Sequence, residues 1–96
     1  MDIHFDWDED KAQLNLKKHR VSFEIATRVF LDPLALAYLD RIENGEYRWQ
    51  TLGMVDGCLL LLVAHTVHQD EASEIIRIIS ARKADKKEQK NYEKNR

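Results

Sequence analysis

The sequence predicts a small α+β domain, a mainly antiparallel sheet packed against two N-terminal helices and a C-terminal helix, in the order β-α-α-β-β-β-β-α. Three observations predict it. Strand-like apolar segments follow one another between residues 34 and 80, separated by turn signals. Two segments with helical spacing and good N-caps come before them. A lysine-rich segment with capping-box spacing comes after. The 96 residues are read as one domain, 1–96, because two domains would each be too small to bury a core.

Residues 3–7 (Ile-His-Phe-Asp-Trp) alternate apolar and polar, the period of a short half-buried strand. Asp8 then caps a helix whose first turn carries Glu9 and Asp10, complementing the positive end of the helix dipole. Lys17, Lys18, His19 and Arg20 close it with the opposite sign. Ser22 caps a second helix, where Phe23, Ala26 and Phe30, with Ile25 and Val29, form a broad apolar face. Asp32-Pro33 ends that helix, since the residue before proline is driven out of the helical region.

The first strand of the long run covers 34–40, and Asn44-Gly45 is a hairpin signal inside a connection from Arg41 to Glu46. Residues 46–54 alternate again, and Asp56-Gly57 marks a second turn. Residues 58–67 are apolar on both faces, as in a central strand covered on both sides. After a polar loop, 74–80 form the last strand, with Ile76 and Ile78 on one face and Arg77 on the other. From Asp85 the chain reads as a helix with a single large apolar side chain, Tyr92, so it docks through that ring and its lysine stems or is weakly held.

Composition excludes several classes. The longest unbroken apolar run, Cys58 to Ala64, is far short of the roughly 20 residues that span a bilayer. The N-terminus lacks the basic start and apolar stretch of a secretory signal. One cysteine, Cys58, forms no internal disulfide and reads as a small buried hydrophobe, and the expected location is the reducing cytoplasm. The net charge of −2 hides an asymmetry: five acids and no Lys or Arg in the first ten residues, and eight bases against three acids from Ile75 to Arg96. A basic end suggests an anionic partner such as nucleic acid, or simply a solvated terminal helix.

The most informative candidates are arginines in or beside strands. Arg77 sits in an apolar strand, where an unpaired charge is costly; it snorkels, pairs with a carboxylate such as Glu46, or faces an open groove. Arg48 follows the same logic, and Arg82 lies just after the last strand. Three guanidiniums converging on one face make a phosphate clamp; the alternative is separate structural ion pairs. His65 and His68 are three apart, which on a strand directs them to opposite faces, so no metal site is expected. His65 either transfers protons near neutral pH or is a core histidine bonded to a neighbour.

The string from Phe5 to Lys11, the segment Asn15 to Phe23, and Ala26 with Val29 to Pro33 resemble the opening of BrnT-type toxins. Arg48, Gly53, Val63 to Thr66, Ile76 to Ala84, Glu88 and Tyr92 extend the resemblance over nearly the whole chain. It implies a RelE-like fold and a bacterial ribonuclease toxin of a type II toxin–antitoxin pair. It also implies neutralisation by a BrnA-like antitoxin, in a heterotetramer that contacts operator DNA only through the antitoxin.

The expected reaction is metal-independent and needs no cofactor: the RNA 2′-hydroxyl attacks the adjacent phosphate. Arg48, Arg77 and Arg82 are then the charge-stabilising candidates, with His65, Glu88 and Tyr92 as candidate acid and base. Lys83, Lys86 and Lys87 are the expected RNA-binding lysines. The competing reading is a non-catalytic antitoxin-binding module and corepressor, favoured by the low positive charge.

Overall fold

A computed structural model describes residues 2–95; Met1 and Arg96, the last base of the basic run, lie outside the described residues. The elements are β1 (Asp2–Asp6), α1 (Glu9–His19), α2 (Phe23–Ala26), a 3-10 turn (Thr27–Leu31), β2 (Leu36–Glu43), β3 (Glu46–Val55), β4 (Leu59–Gln69), β5 (Ser73–Lys83) and α3 (Lys86–Lys94). The five strands form one sheet in the order β1-β5-β4-β3-β2. Three of the pairings are antiparallel, but β1 runs parallel to β5, so the sheet is mixed. The α+β class and the order of strands and α-helices are as the sequence predicts.

The inner face carries the main core. Ala12, Val21, Phe23, Ala26 and Val29 from the helical segments pack on Val55, Leu61, Val63, Ile78 and Ala81 of the sheet. Asp8 caps α1 by accepting from the Lys11 N–H, and Ser22 caps α2 by accepting from the Ile25 N–H. The second helix is shorter than its apolar spacing suggests. After Ala26 it tightens into the 3-10 turn, where the Thr27 hydroxyl donates to the Glu24 carbonyl at 2.6 Å. That tightening presses Val29 onto β3 at Gly53, where a Cβ would stand 2.8 Å from Val29 Cβ. Ile25 consequently stays on the surface rather than joining the buried face.

The outer face is covered only at one end. There α3 lays Tyr92 over Leu52 and Leu62, with Leu36, Met54, Leu60 and Ala84 packed around them. Asp85 and Glu88 form the predicted capping box.

Several local expectations need correction. Strand β2 starts at Leu36, because the Asp32 carboxylate and carbonyl hold the chain in a turn through the N–H groups of Leu34 and Ala35. It then runs to Glu43, so the hairpin loop is only Asn44-Gly45, both with positive φ (52° and 78°). Strand β5 continues to Lys83, which puts Arg82 inside the strand rather than beyond it. Cys58 is exposed, at the end of the Asp56-Gly57 turn, and not a buried hydrophobe.

Strand β5 also carries one extra residue. Ala64 pairs with Ser80 and His65 with Ile78, leaving Ile79 without a partner on β4. Arg77 and Arg82 are five apart, an odd number, so strict alternation would send them to opposite faces. Opposite Thr66 and Leu62, which are four apart, both project from the outer face.

Candidate active site

The strand register assembles a cross-sheet row on the outer face. Arg41 of β2 stands opposite Arg48 of β3. The β3–β4 register, with Trp49 opposite His65, sets Arg48 beside Thr66. Thr66 faces Arg77 of β5, and Arg77 faces Asp6 of β1. Arg48 and Arg77 thus flank Thr66 from strands about 10 Å apart, a gap two arginine side chains can close. Among the described residues, Thr66 Oγ1 and Arg48 Nε are buried side-chain atoms without a hydrogen bond. Such orphans are rare and ask for an explanation.

Each expected clamp arginine also has an acidic partner. Arg77 Nη1 meets Asp6 Oδ2 at 2.7 Å, with both side chains about half exposed. Of its three alternatives Arg77 takes the carboxylate pair, with Asp6 in place of Glu46, because β1 adds beside β5 and brings Asp6 closer. Arg48 lies 3.5 Å from Glu46 and 3.9 Å from Glu43, so Glu46 is its partner instead. Arg82 makes a bidentate pair with Glu88, both contacts 2.9 Å. Those hydrogen bonds hold the Glu88 carboxyl below its ordinary pKa against the opposing effect of burial. They likewise raise the Arg82 guanidinium.

Arg82 is therefore on the same face as the other two but apart from them. Thr66 and Leu62, their β4 neighbours, are four residues apart, about 13 Å along the strand. With Glu88 it fastens the start of α3. Tyr92 is buried, and its hydroxyl donates to Asp32 Oδ2 at 2.6 Å. Burial pushes the Asp32 carboxyl up, but bonds from Tyr92 and from the Met54 and Leu34 N–H groups outweigh it and keep the pKa low. Asp32, read from sequence only as a helix end, is the hub joining the 3-10 turn, β3 and α3. Lys83, Lys86 and Lys87 are exposed around the end of β5 and the first turn of α3.

Of its two readings, His65 takes that of a core histidine bonded to a neighbour. It projects into the inner face, buried, with Nε2 2.7 Å from Thr51 Oγ1 and its ring edge-on to Phe30 at 4.9 Å. Burial depresses its pKa, against the opposing influence of the Thr66 carbonyl and Glu74. The sheet separates it from Arg48 and Arg77, so it cannot meet a phosphate held between them. His68, on the opposite face as its spacing predicts, is exposed on the arginine side.

A concavity of about 750 Å³ opens between α1 and the start of α2, lined by residues such as Glu9, Gln13, Lys17 and Glu24. It is away from the arginine row. A polymer backbone needs a face more than a cavity, and the uncovered half of the outer sheet supplies one. Among the described residues no helix is long and apolar enough to cross a membrane.

A family model described as ribonuclease toxin, BrnT, of type II toxin–antitoxin system matches residues 7–88. Among solved structures, the Brucella abortus ribonuclease toxin BrnT is similar over 90% of this chain and 100% of that one. The identity is 25% and the TM-score 0.66. A search of curated proteins finds no match.

Proposed function

The chain belongs to the BrnT family of ribonuclease toxins of type II toxin–antitoxin systems, and from that premise we propose that it cleaves RNA, without a metal, on the uncovered half of the outer sheet face. Arg48 and Arg77 hold the scissile phosphate above Thr66, and the RNA 2′-hydroxyl attacks it. The observation that carries this reading is the row Arg48–Thr66–Arg77, two guanidiniums astride the Thr66 hydroxyl, which is buried without a hydrogen bond, as is Arg48 Nε. An arriving phosphate gives the guanidiniums bidentate acceptors and stabilises charge where it develops. The ion pairs already present do not forbid this. Exposed pairs are worth about 0–1 kcal/mol, so a phosphodiester competes with Asp6 for Arg77.

Arg82, Glu88 and Tyr92 enter this scheme through α3, which they fasten to the sheet, and His65 enters it only as part of the core. Lys86 and Lys87, on the helix over the other end of the outer face, attract the RNA backbone, whereas Lys83, opposite Leu61, belongs to the inner side of the sheet. The partner is a BrnA-like antitoxin in a cytoplasmic heterotetramer, covering the arginine face and α3, with operator DNA contacted through the antitoxin. Slower amide exchange of residues 86–95 in the complex supports that placement; unchanged exchange counts against it.

The test uses the full chain freed of antitoxin, incubated with RNA in excess EDTA. Wild type cleaves, and Arg48→Ala and Arg77→Ala each reduce cleavage and growth arrest by about 10²-fold or more, the size typical of a lost charge-stabilising donor. Arg82→Ala loses activity in step with its loss of thermal stability. A second reading is favoured by the acidic partner of each clamp arginine: a non-catalytic module that binds antitoxin and aids repression. Intact RNA after incubation with folded wild type establishes that reading instead.

A further inference from the structure

We propose that His68, oriented by Glu46, is the proton-transferring residue of the RNA cleavage assigned to the arginine row. The inference rests on the proposed ribonuclease site and adds the one group that site lacks. Phosphodiester cleavage by a 2′-hydroxyl needs a base, and neither guanidinium can serve, because arginine stays protonated. The expected histidine, His65, is buried on the other face.

His68 is two residues beyond Thr66 on β4, so it shares the outer face with Arg48 and Arg77, one row along at about 7 Å. Its side chain is 65% exposed, open to a bound strand. Its Nε2 lies 3.2 Å from Glu46 Oε2, while Glu46 Oε1 lies 3.5 Å from Arg48 Nη2. One carboxylate therefore joins the histidine to the phosphate-holding arginine. The charged or titratable groups sharing this part of the face are Glu46, Arg48 and, beyond them, Glu43 from the hairpin with Arg41 of β2 beside it, Arg77 from β5, and Asp6 and His4 from β1. In the tautomer whose Nε2–H donates to Glu46, Nδ1 keeps a lone pair aimed away from that partner.

The step balances without a co-reactant beyond water. Nδ1 takes the proton of the 2′-hydroxyl as the O2′–P bond forms. The P–O5′ bond breaks, its electron pair stays on O5′, and O5′ takes a proton from water. The products are a 2′,3′-cyclic phosphate and a 5′-hydroxyl, and His68 returns its proton to solvent. Glu46 is a positioning residue here, since it acts through the imidazole.

The experiment measures kcat, KM and the pH–rate profile on an oligoribonucleotide, using the full chain freed of antitoxin. His68→Gln lowers kcat by about 10²-fold or more and removes one limb of the pH–rate profile, with an unchanged melting temperature. Glu46→Ala lowers kcat more than it raises KM, and Glu46→Gln, which keeps an acceptor for Nε2–H, restores part of it. A His68→Gln enzyme with wild-type kcat and pH profile, while Arg77→Ala is inactive, overturns the assignment and leaves the ribonuclease reading standing. Absence of cleavage by folded wild type overturns both.

Discussion

Asn15 stands in for a strand that ends too soon. Strand β1 stops at Asp6, opposite Arg77, and beyond that point the outer edge of β5 has no strand beside it. Asn15 of α1 fills the gap. Its side-chain oxygen accepts from the Ala81 N–H at 3.1 Å, and its amide nitrogen donates to the carbonyls of Ala81 and Val21 at 2.8 and 3.0 Å. Asn15→Ala strands buried backbone groups and is expected to cost roughly 2–4 kcal/mol, read as a lower urea midpoint with little change in m-value. A loss below 0.5 kcal/mol would show that water replaces the amide. Nothing in the sequence pattern marks Asn15, because its partners are 6 and 66 residues away.

His65 belongs to the same scale. Its folded-state pKa is depressed, so the unfolded chain binds its proton first as the pH falls. Above the ordinary value of about 6.5 the ring is neutral in both states and costs nothing. Below it stability declines, down to the lowered folded-state value. The urea midpoint should therefore begin to fall below pH 6.5, before Asp32 and Glu88, whose windows lie below 3.8 and 4.5. A His65 ring signal that titrates at the ordinary value in NMR would contradict this. The apolar segment around His65 made a core histidine one of its two readings, and the alternation of β4 decides between them.

At the scale of elements, the 3-10 turn and β3 approach each other closely enough to exclude a methyl group. Gly53→Ala places Cβ against Val29 Cβ and the Val29 carbonyl, which are at 2.8 and 2.9 Å. Both belong to a packed element, so the turn must shift, at an expected cost of roughly 1–3 kcal/mol. A thermal melt unchanged from wild type would mean that the turn is softer than its packing suggests. Local signals located the elements well: Asp8, Ser22 and Asp85 are N-caps, and Asn44-Gly45 and Asp56-Gly57 are turns. The 3-10 tightening was not legible, because helical and 3-10 spacing both bring Ala26 and Val29 to one side. The docking of α3 was legible only through Tyr92; the receiving carboxylate, Asp32, is 60 residues earlier.

The whole molecule divides its sheet unequally. One face is closed by α1, α2 and the 3-10 turn, while the other is closed at one end by α3 and open at the other, where the arginine row crosses β2 to β1. The sequence revealed that Arg48 and Arg77 belong in strands but left Arg82 and Arg41 outside them, and the family pattern pointed to the chemistry. It did not reveal that β1 would lie parallel at the edge, nor that Asp6 would meet Arg77 across 71 residues. Both depend on strand order, which residue periodicity leaves open.

Ile79 sets the side on which the chain finishes. Were Ile79 to pair in strict alternation instead of bulging, β5 would enter its last stretch turned over, with Arg82 directed at the layer already filled by α1 and α2. The terminal helix would then lose its seat on Leu52 and Leu62, and Glu88 its guanidinium. Deleting Ile79 brings Arg77 and Arg82 to four apart in an unbroken ladder, so the deletion variant should keep both on the outer face, with α3 seated and the chain after Lys83 resistant to proteolysis. Early proteolysis after Lys83 in that variant would show that the facing of the final strand does not depend on this bulge alone.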